Sequence, residues 1–252
     1  MKISLITVVY NRAATIERTI LSVLQQTYPH IEYIVVDGAS TDGTLNIIHQ
    51  YQDQIATLIS EKDNGVYDAI NKGIRCATGD IIGVLHADDA FAHDDVLKNI
   101  VEAFTHNEHI DCLFGDIAFV DKINPDKILR YYSSSIFHPD RFSLGIMPAH
   151  PTFYCYKKLF DQHGLYRIDL DIASDFDLLL RFLKIHQLRF IYIPQRMVNM
   201  HLGGKSTSGL KSTLTINKEI RRVLKEHKIK SSYLHLYSRY FIKVREFLYN
   251  TR

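Results

Sequence analysis

Apolar positions fall into two rhythms along the first hundred residues. Ile3 to Val9 is a nearly continuous β-branched and apolar run, which predicts a buried strand. After Tyr10-Asn11-Arg12, the residues Ile16, Ile20, Val23 and Leu24 recur at helical spacing. Ile31 to Val36 reads as a second buried strand. It ends in the polar turn Asp37-Gly38-Ala39-Ser40-Thr41-Asp42-Gly43-Thr44, which opens the next helix with Asp42 or Thr44 as its cap. Ser60 to Asp89 holds a polar turn with acids, a short helix, a Gly turn and an apolar strand, and closes on two adjacent carboxylates, Asp88 and Asp89.

The later pattern is looser. Leu113 to Val120 predicts a strand, followed by a polar stretch to about Ile128. Arg130 to Pro151 carries Ser133-Ser134-Ser135, two His-Pro pairs and Gly145, so a long irregular segment near a functional surface is expected there. Phe153 to Tyr156 reads as a strand, Asp175 to Ile185 as an amphipathic helix, and Phe190 to Ile193 as a late strand stopped by Pro194. Helical spacing returns from about Leu214 to Lys225 and from about Tyr233 to Tyr249. No internal repeat or low-complexity segment interrupts this order.

Composition narrows the class without naming it. At 252 residues, 46% hydrophobic and 23% charged, the chain is ordinary for a globular protein with a full α/β core. No run approaches a membrane span, and the first strand begins without a basic-then-apolar leader, so a cytoplasmic protein is expected. Cys76, Cys112 and Cys155 are widely spaced and odd in number, which suggests neither a disulfide framework nor a zinc site. The net charge of +2 hides an asymmetry: residues 205–252 hold twelve Lys and Arg against three Glu, which leaves a net −7 on residues 1–204. The tail is either a basic amphipathic helix for an anionic membrane surface or a terminal helix docked on the core.

In an open α/β sheet, ligands lie beyond the carboxyl ends of the strands, so Asp88 and Asp89 are expected to face a substrate crevice. Two neighbouring carboxylates suit a divalent metal that neutralises phosphate charge, although Asp is equally at home before a helix.

The order of pieces resembles the family 2 glycosyltransferases with the GT-A fold. Thr7-Val8-Val9-Tyr10-Asn11, Val36 to Thr44, Asp63 to Gly79 and Ala87-Asp88-Asp89 resemble that family's nucleotide-sugar half. In the second half, Met147 to Phe153 resembles its acceptor-side loop, Ser174-Asp175-Phe176-Asp177 its catalytic acidic motif, and His201 to Ser206 its closing His and Ser segment. The resemblance implies a GT-A type, Rossmann-like, mostly parallel α/β sheet flanked by helices. It further implies a donor half at 1–95, an acceptor and catalytic half at 96–204, and a basic helical extension at 205–252.

It also implies roles. Thr7, Asn11, Asp37, Asp63, Lys72, His86 and Asp88 would bind the nucleotide-sugar, with Asp37 accepting a hydrogen bond from the base and uridine as the default. Asp88, Asp89 and His201 would serve a divalent cofactor, Mn or Mg. His86 stands where the usual Asp-x-Asp motif has its first acid, so charge at the metal rests on the aspartates. His150 would shape the acceptor site. Asp175, at a helix start, would be the base that deprotonates an acceptor hydroxyl for inverting transfer, while Asp177 serves structure. The expected partners are a nucleotide-sugar and a saccharide acceptor carried on a lipid, in O-antigen, capsule or exopolysaccharide assembly. Peripheral contact with the inner membrane and no nucleic acid complete that expectation.

Two alternatives are an inactive sugar-nucleotide-binding protein and a nucleotidyltransferase. The second lacks a Gly-rich basic loop after the first strand, and a dehydrogenase lacks G-x-G-x-x-G there. Gly204-Lys205-Ser206 mimics the end of a P-loop, but Asn199 stands where its first Gly is required.

Overall fold

The computed structural model describes residues 1–121, 124, 126–201 and 210–240. Its strands are β1 (Ile3–Val9), β2 (Ile31–Asp37), β3 (Thr57–Ser60), β4 (Ile81–Val84), β5 (Ala90–Phe91), β6 (Cys112–Val120), β7 (Ile128–Tyr132), β8 (Tyr154–Tyr156) and β9 (Phe190–His201). They form one sheet in the order β3-β2-β1-β4-β8-β6-β9-β5, with β7 added against β6. The long ladders are parallel, β1 on β2 and β6 on β9, and shorter antiparallel pairings of β8 join the two parts. The order β3-β2-β1-β4 reverses direction between β1 and β4, which opens a crevice at their carboxyl ends.

The helices are α1 (Ile16–Leu24), α2 (Thr44–His49), α3 (Val66–Cys76), α4 (Val96–His106), α5 (Lys158–His163), α6 (Ser174–Leu180) and α7 (Leu210–Glu226). Alternation along β1 sorts its side chains between two cores. Ile3, Leu5 and Val9 pack with Ile16 and Ile20 of α1 and with Leu97 and Ile100 of α4. Ile6 and Val8 pack on the opposite face with Ile70 and Ile74 of α3. A strand buried on both faces has to be apolar throughout, which is why its sequence shows no alternation.

Pro194 does not end the last strand. β9 runs through it to His201, and the register against β6 slips between Phe114 and Ile117. A bulge of this kind lets a residue without an N–H sit inside a sheet, so the proline marks an irregularity and not a terminus. The segment expected to be irregular from Arg130 begins as β7 and contains short 3-10 turns at Pro139–Leu144 and His150–Thr152.

The tail docks as far as it is described. Ile220, Val223 and Leu224 of α7 and Leu236 beyond it are buried in the same core as α3 and α6. Each such side chain contributes about 1.5–3 kcal/mol, enough to hold the helix on the protein. Residues 233–240 are helical, whereas 241–249 of the expected second tail helix lie outside the described residues. No helix among the described residues is long and apolar enough to cross a membrane.

The seam between β4 and β8 is tight. Gly83 lies opposite Tyr154, and a Cβ on Gly83 would sit 2.1 Å from Cε1 of that ring. Gly83→Ala is therefore expected to cost about 1–3 kcal/mol by overpacking. Urea unfolding checks this, and a midpoint equal to wild type would mean that the ring can move aside.

Candidate active site

Four loops meet at the carboxyl ends of β1 to β4. Asp37 closes β2 fully buried, with its carboxylate accepting from the Ser60 hydroxyl (2.7 Å) and the Ser40 N–H (3.1 and 3.3 Å). The Asp63 carboxylate lies over Gly38, where an added Cβ would meet Oδ2 at 2.5 Å and the Tyr10 ring at 3.4 Å. A side chain at 38 would push the Asp63 carboxylate aside. Asn11 takes a positive φ of 50°, which Asn tolerates better than most residues. Its N–H donates to Ser40 Oγ (2.8 Å) and its Oδ1 accepts from Thr41 N–H (2.8 Å), which ties the first loop to the second. The crevice thus gathers Asn11, Asp37 and Asp63 beside the exposed ring of Tyr10.

Two expected donor-side residues sit elsewhere. Thr7 is fully buried on the α1 face and accepts a hydrogen bond from the Tyr33 hydroxyl (3.2 Å), so it props β1 from behind. Lys72 turns to Glu61 (2.8 Å) and to the Lys62 carbonyl (3.0 Å), bracing the acidic turn.

The acid pair is asymmetric. Asp88 faces outward, its carboxylate accepting from Arg12 Nε (2.9 Å) and Thr15 Oγ (2.8 Å). Asp89 turns inward and is only 2% exposed, and its Oδ2 meets no hydrogen-bond partner among the described residues. Burial, with the charge of Asp88 acting the same way, pushes the Asp89 carboxyl well above its ordinary range. Its backbone is fixed by N–H donation to the His86 carbonyl (2.9 Å) and by the Thr19 hydroxyl on its own carbonyl (2.7 Å). Arg18 bridges the Asp88 carbonyl (2.7 Å) to the ring Nε2 of His201, which places His201 at the rim of this cluster. Leu202 to Ser206 of the closing segment lie outside the described residues.

Among the described residues, no three His, Cys, Asp or Glu side chains gather as a metal cage. The outward carboxylate of Asp88 does fit a cation that takes its remaining ligands from phosphate and water, as Mg2+ commonly does, once Arg12 and Thr15 release it.

A line of rings crosses from Asp88 to Asp175. His86 is half-buried, and burial lowers its imidazole while Asp88 opposes that shift. Its ring centroid lies 6.1 Å from that of His150. His150 is buried, pushed down to about 3 by burial and by His86, and is therefore neutral; a hydrogen bond joins its Nε2 to the Tyr166 hydroxyl (2.7 Å). Tyr166 stacks on Tyr67 at 5.9 Å. The Tyr67 hydroxyl donates to the Ile172 carbonyl (2.5 Å) at the entry to α6.

Asp175 sits in the first turn of α6, half-buried, with Oδ1 accepting from the Phe176 N–H (2.7 Å). Burial raises its carboxyl to about 7, against the opposing hydrogen bonds from Phe176 and Tyr67. A carboxyl poised near neutrality suits a general base. Asp177, fully buried, pairs with Arg181 (2.8 Å) and Arg167 (3.5 Å) and so fixes the helix.

Tyr10, Arg12, Arg18, Tyr67 and Tyr166 join the site without having been singled out from the sequence. Asp116, also missed, accepts from the Tyr131 and Tyr192 hydroxyls (2.9 Å each) and from Ser134 N–H (2.7 Å). Ser134 Oγ in turn accepts from Ala149 N–H (3.1 Å), next to His150. A buried aspartate on β6 thereby steadies the loop that carries His150.

Residues 4–163 match glycosyl transferase family 2. An uncharacterised glycosyltransferase of Mycobacterium tuberculosis is 32% identical over 185 residues, 71% of this chain and 68% of that protein. The chain belongs to glycosyl transferase family 2 and is a glycosyltransferase. Two solved structures share its GT-A architecture. Staphylococcus aureus TarS 1-349 in complex with UDP-GlcNAc has a TM-score of 0.67 at 20% identity, over 89% of this chain and 66% of that one. The mannosyltransferase PcManGT of Pyrobaculum calidifontis, in complex with GDP-Man and Mn2+, has a TM-score of 0.67 at 20% identity, over 92% of this chain and 65% of that one. The chain thus spans just under two thirds of each of those solved chains.

A carboxyl raised from its ordinary value to about 7 favours the folded state only while protonated. That stability is full below about pH 4 and is lost as pH rises through about 7. Asp175→Asn removes this part of the slope. Urea midpoints at pH 5 and pH 8 are expected to fall further in wild type than in D175N, and equal falls would place the carboxyl's titration elsewhere.

Proposed function

We propose that this glycosyltransferase moves a sugar from a nucleotide-sugar, UDP-linked, to a saccharide hydroxyl with inversion at the anomeric carbon. The observation that carries this reading is the chain of contacts from Asp88 through His86, His150, Tyr166 and Tyr67 to Asp175. The charge on Asp88 lies at one end of it and a carboxyl raised to about 7 at the other. Asp37 and Asp63 would accept from the base and ribose, with Tyr10 as a face for the base and Asn11 holding the two loops in register.

Asp88 would hold the divalent cation, Mn or Mg, which supplies positive charge against the leaving diphosphate. Arg12 and Arg18 add cationic charge at the same rim. On the acceptor side, neutral His150 offers a hydrogen bond without competing for the proton, and Asp175 takes that proton as the new bond forms. The backbone around Asp175 is held before the acceptor arrives, so little ordering remains at the moment of reaction.

A lipid-linked acceptor of a bacterial surface polysaccharide fits the basic tail. Tyr233 (43%), Leu234 (80%) and Tyr237 (40%) are exposed on it, and such side chains among lysines and arginines suit the surface of an anionic bilayer.

Asp175→Asn is expected to lower transfer by about 10²–10⁴-fold while leaving donor binding nearly intact. Transfer kept at about a tenth of wild type or more removes Asp175 from the role, since a lost base costs at least about a hundredfold. A thermal-shift panel of UDP-, GDP- and dTDP-sugars, with and without Mn2+, identifies the donor, because a ligand that binds only the folded state raises its stability by mass action. Stabilisation by GDP-sugars alone would overturn the uridine assignment.

A further inference from the structure

We propose that Glu219, on α7, is a positioning residue for the transfer: its carboxylate collects three successive backbone N–H groups and thereby fixes how the chain enters α6 and where Asp175 points. The inference rests on the reading of Asp175 as the base. The three donors are Asp171 (2.8 Å to Oε1), Ile172 (2.9 Å to Oε2) and Ala173 (2.9 Å to Oε2). An ionised acceptor taking several backbone donors makes a strong and well-directed contact.

The helix needs this outside help. Ala173 occupies its N-cap position and has no side-chain acceptor. The Ser174 Oγ is buried and meets no hydrogen-bond partner among the described residues. The chain just ahead of α6 is instead held from α7, and at two places. Besides Glu219, Arg222 pairs with Asp169 (2.5 Å) and Glu226 with Arg167 (2.5 Å). α7 itself is anchored by the buried side chains of Ile220, Val223 and Leu224. A brace so anchored moves only if the helix undocks.

Glu219 also acts on Asp175 through charge. The ionisable groups facing Asp175 are Tyr67 of α3, Tyr166 ahead of α6, and Glu219 of α7; burial is the largest influence on the base, the hydrogen bonds from Phe176 and Tyr67 oppose it, and the charge of Glu219 adds a smaller push against ionisation. Neutralising Glu219 is therefore expected to move the titration of Asp175 to lower pH.

The test compares E219A, E219Q and wild type in two measurements. In the first, turnover is followed with the donor selected by thermal shift and water as acceptor. E219A is expected to lose about tenfold or more in kcat with donor KM within about twofold, and E219Q to lose less because it keeps an acceptor oxygen. In the second, the Asp175 carboxyl is titrated by 13C NMR in the substrate-free protein, its signal identified by its absence from D175N. E219Q is expected to shift that titration down by about half a pH unit or more.

Glu219 is overturned as a positioning residue if folded E219A keeps kcat within about twofold of wild type. The same holds if its activity falls only in step with the folded fraction while the titration stays in place. Failure of the base assignment is separate: it shows as transfer retained by D175N, whereas the NMR titration still reports whether Glu219 governs that carboxyl.

Discussion

The contact on which the site depends is the grip of α3 on the segment that leads into α6. Asn71 donates to the Tyr166 carbonyl (2.8 Å) and accepts from its N–H (3.0 Å), and Tyr67, one turn earlier, reaches the Ile172 carbonyl. The helix making these bonds packs on β1 and β2, whose carboxyl ends carry the crevice loops. The crevice at the strand ends and the start of α6 are therefore referred to one rigid element. Side-chain amides that satisfy both polar groups of a buried peptide specify a single arrangement, because any slip strands a donor and an acceptor together.

Electrostatics divides the labour at the other end. A turn at Ala87-Asp88, closed by the Asp89 N–H on the His86 carbonyl (2.9 Å), sends the two carboxylates in different directions, Asp88 outward and Asp89 into the protein. Asp88 lies among Arg12, Thr15 and the nearby Arg18, whereas Asp89 is buried and driven toward its neutral form. The cost of burying Asp89 is compatible with a cluster whose backbone is fixed by Thr19 and whose cations are held close without quenching the outward carboxylate.

What was legible in the sequence was local. The continuous apolar run of β1, the helical spacing of α1 and the acids at the ends of β2 and β4 are each written within a few residues. The place of Asp175 in the first turn of α6 was legible because an acid at a helix start is a short-range signal. Tyr67 and Ile172 are 105 positions apart, and Glu219 meets its donors across 46 to 48 positions. No periodicity encodes such pairs. Thr7 misled for the opposite reason: its neighbours in sequence suit a loop-side role, but alternation along β1 turns it toward Tyr33. Pro194 misled because a proline inside a bulge looks in sequence like a proline after a strand.

The family match covers residues 4–163 and stops short of Tyr166, Asp175 and Glu219. The docking of α7 gives that boundary a practical meaning. A fragment cut to the recognisable region would keep the crevice at the ends of β1 to β4 and discard α6 and α7, together with the apolar side chains that α7 packs over α3 and α6. Any minimal unit worth expressing has to extend past Leu236, because the apolar seat that this residue fills belongs to the interior and not to an appendage.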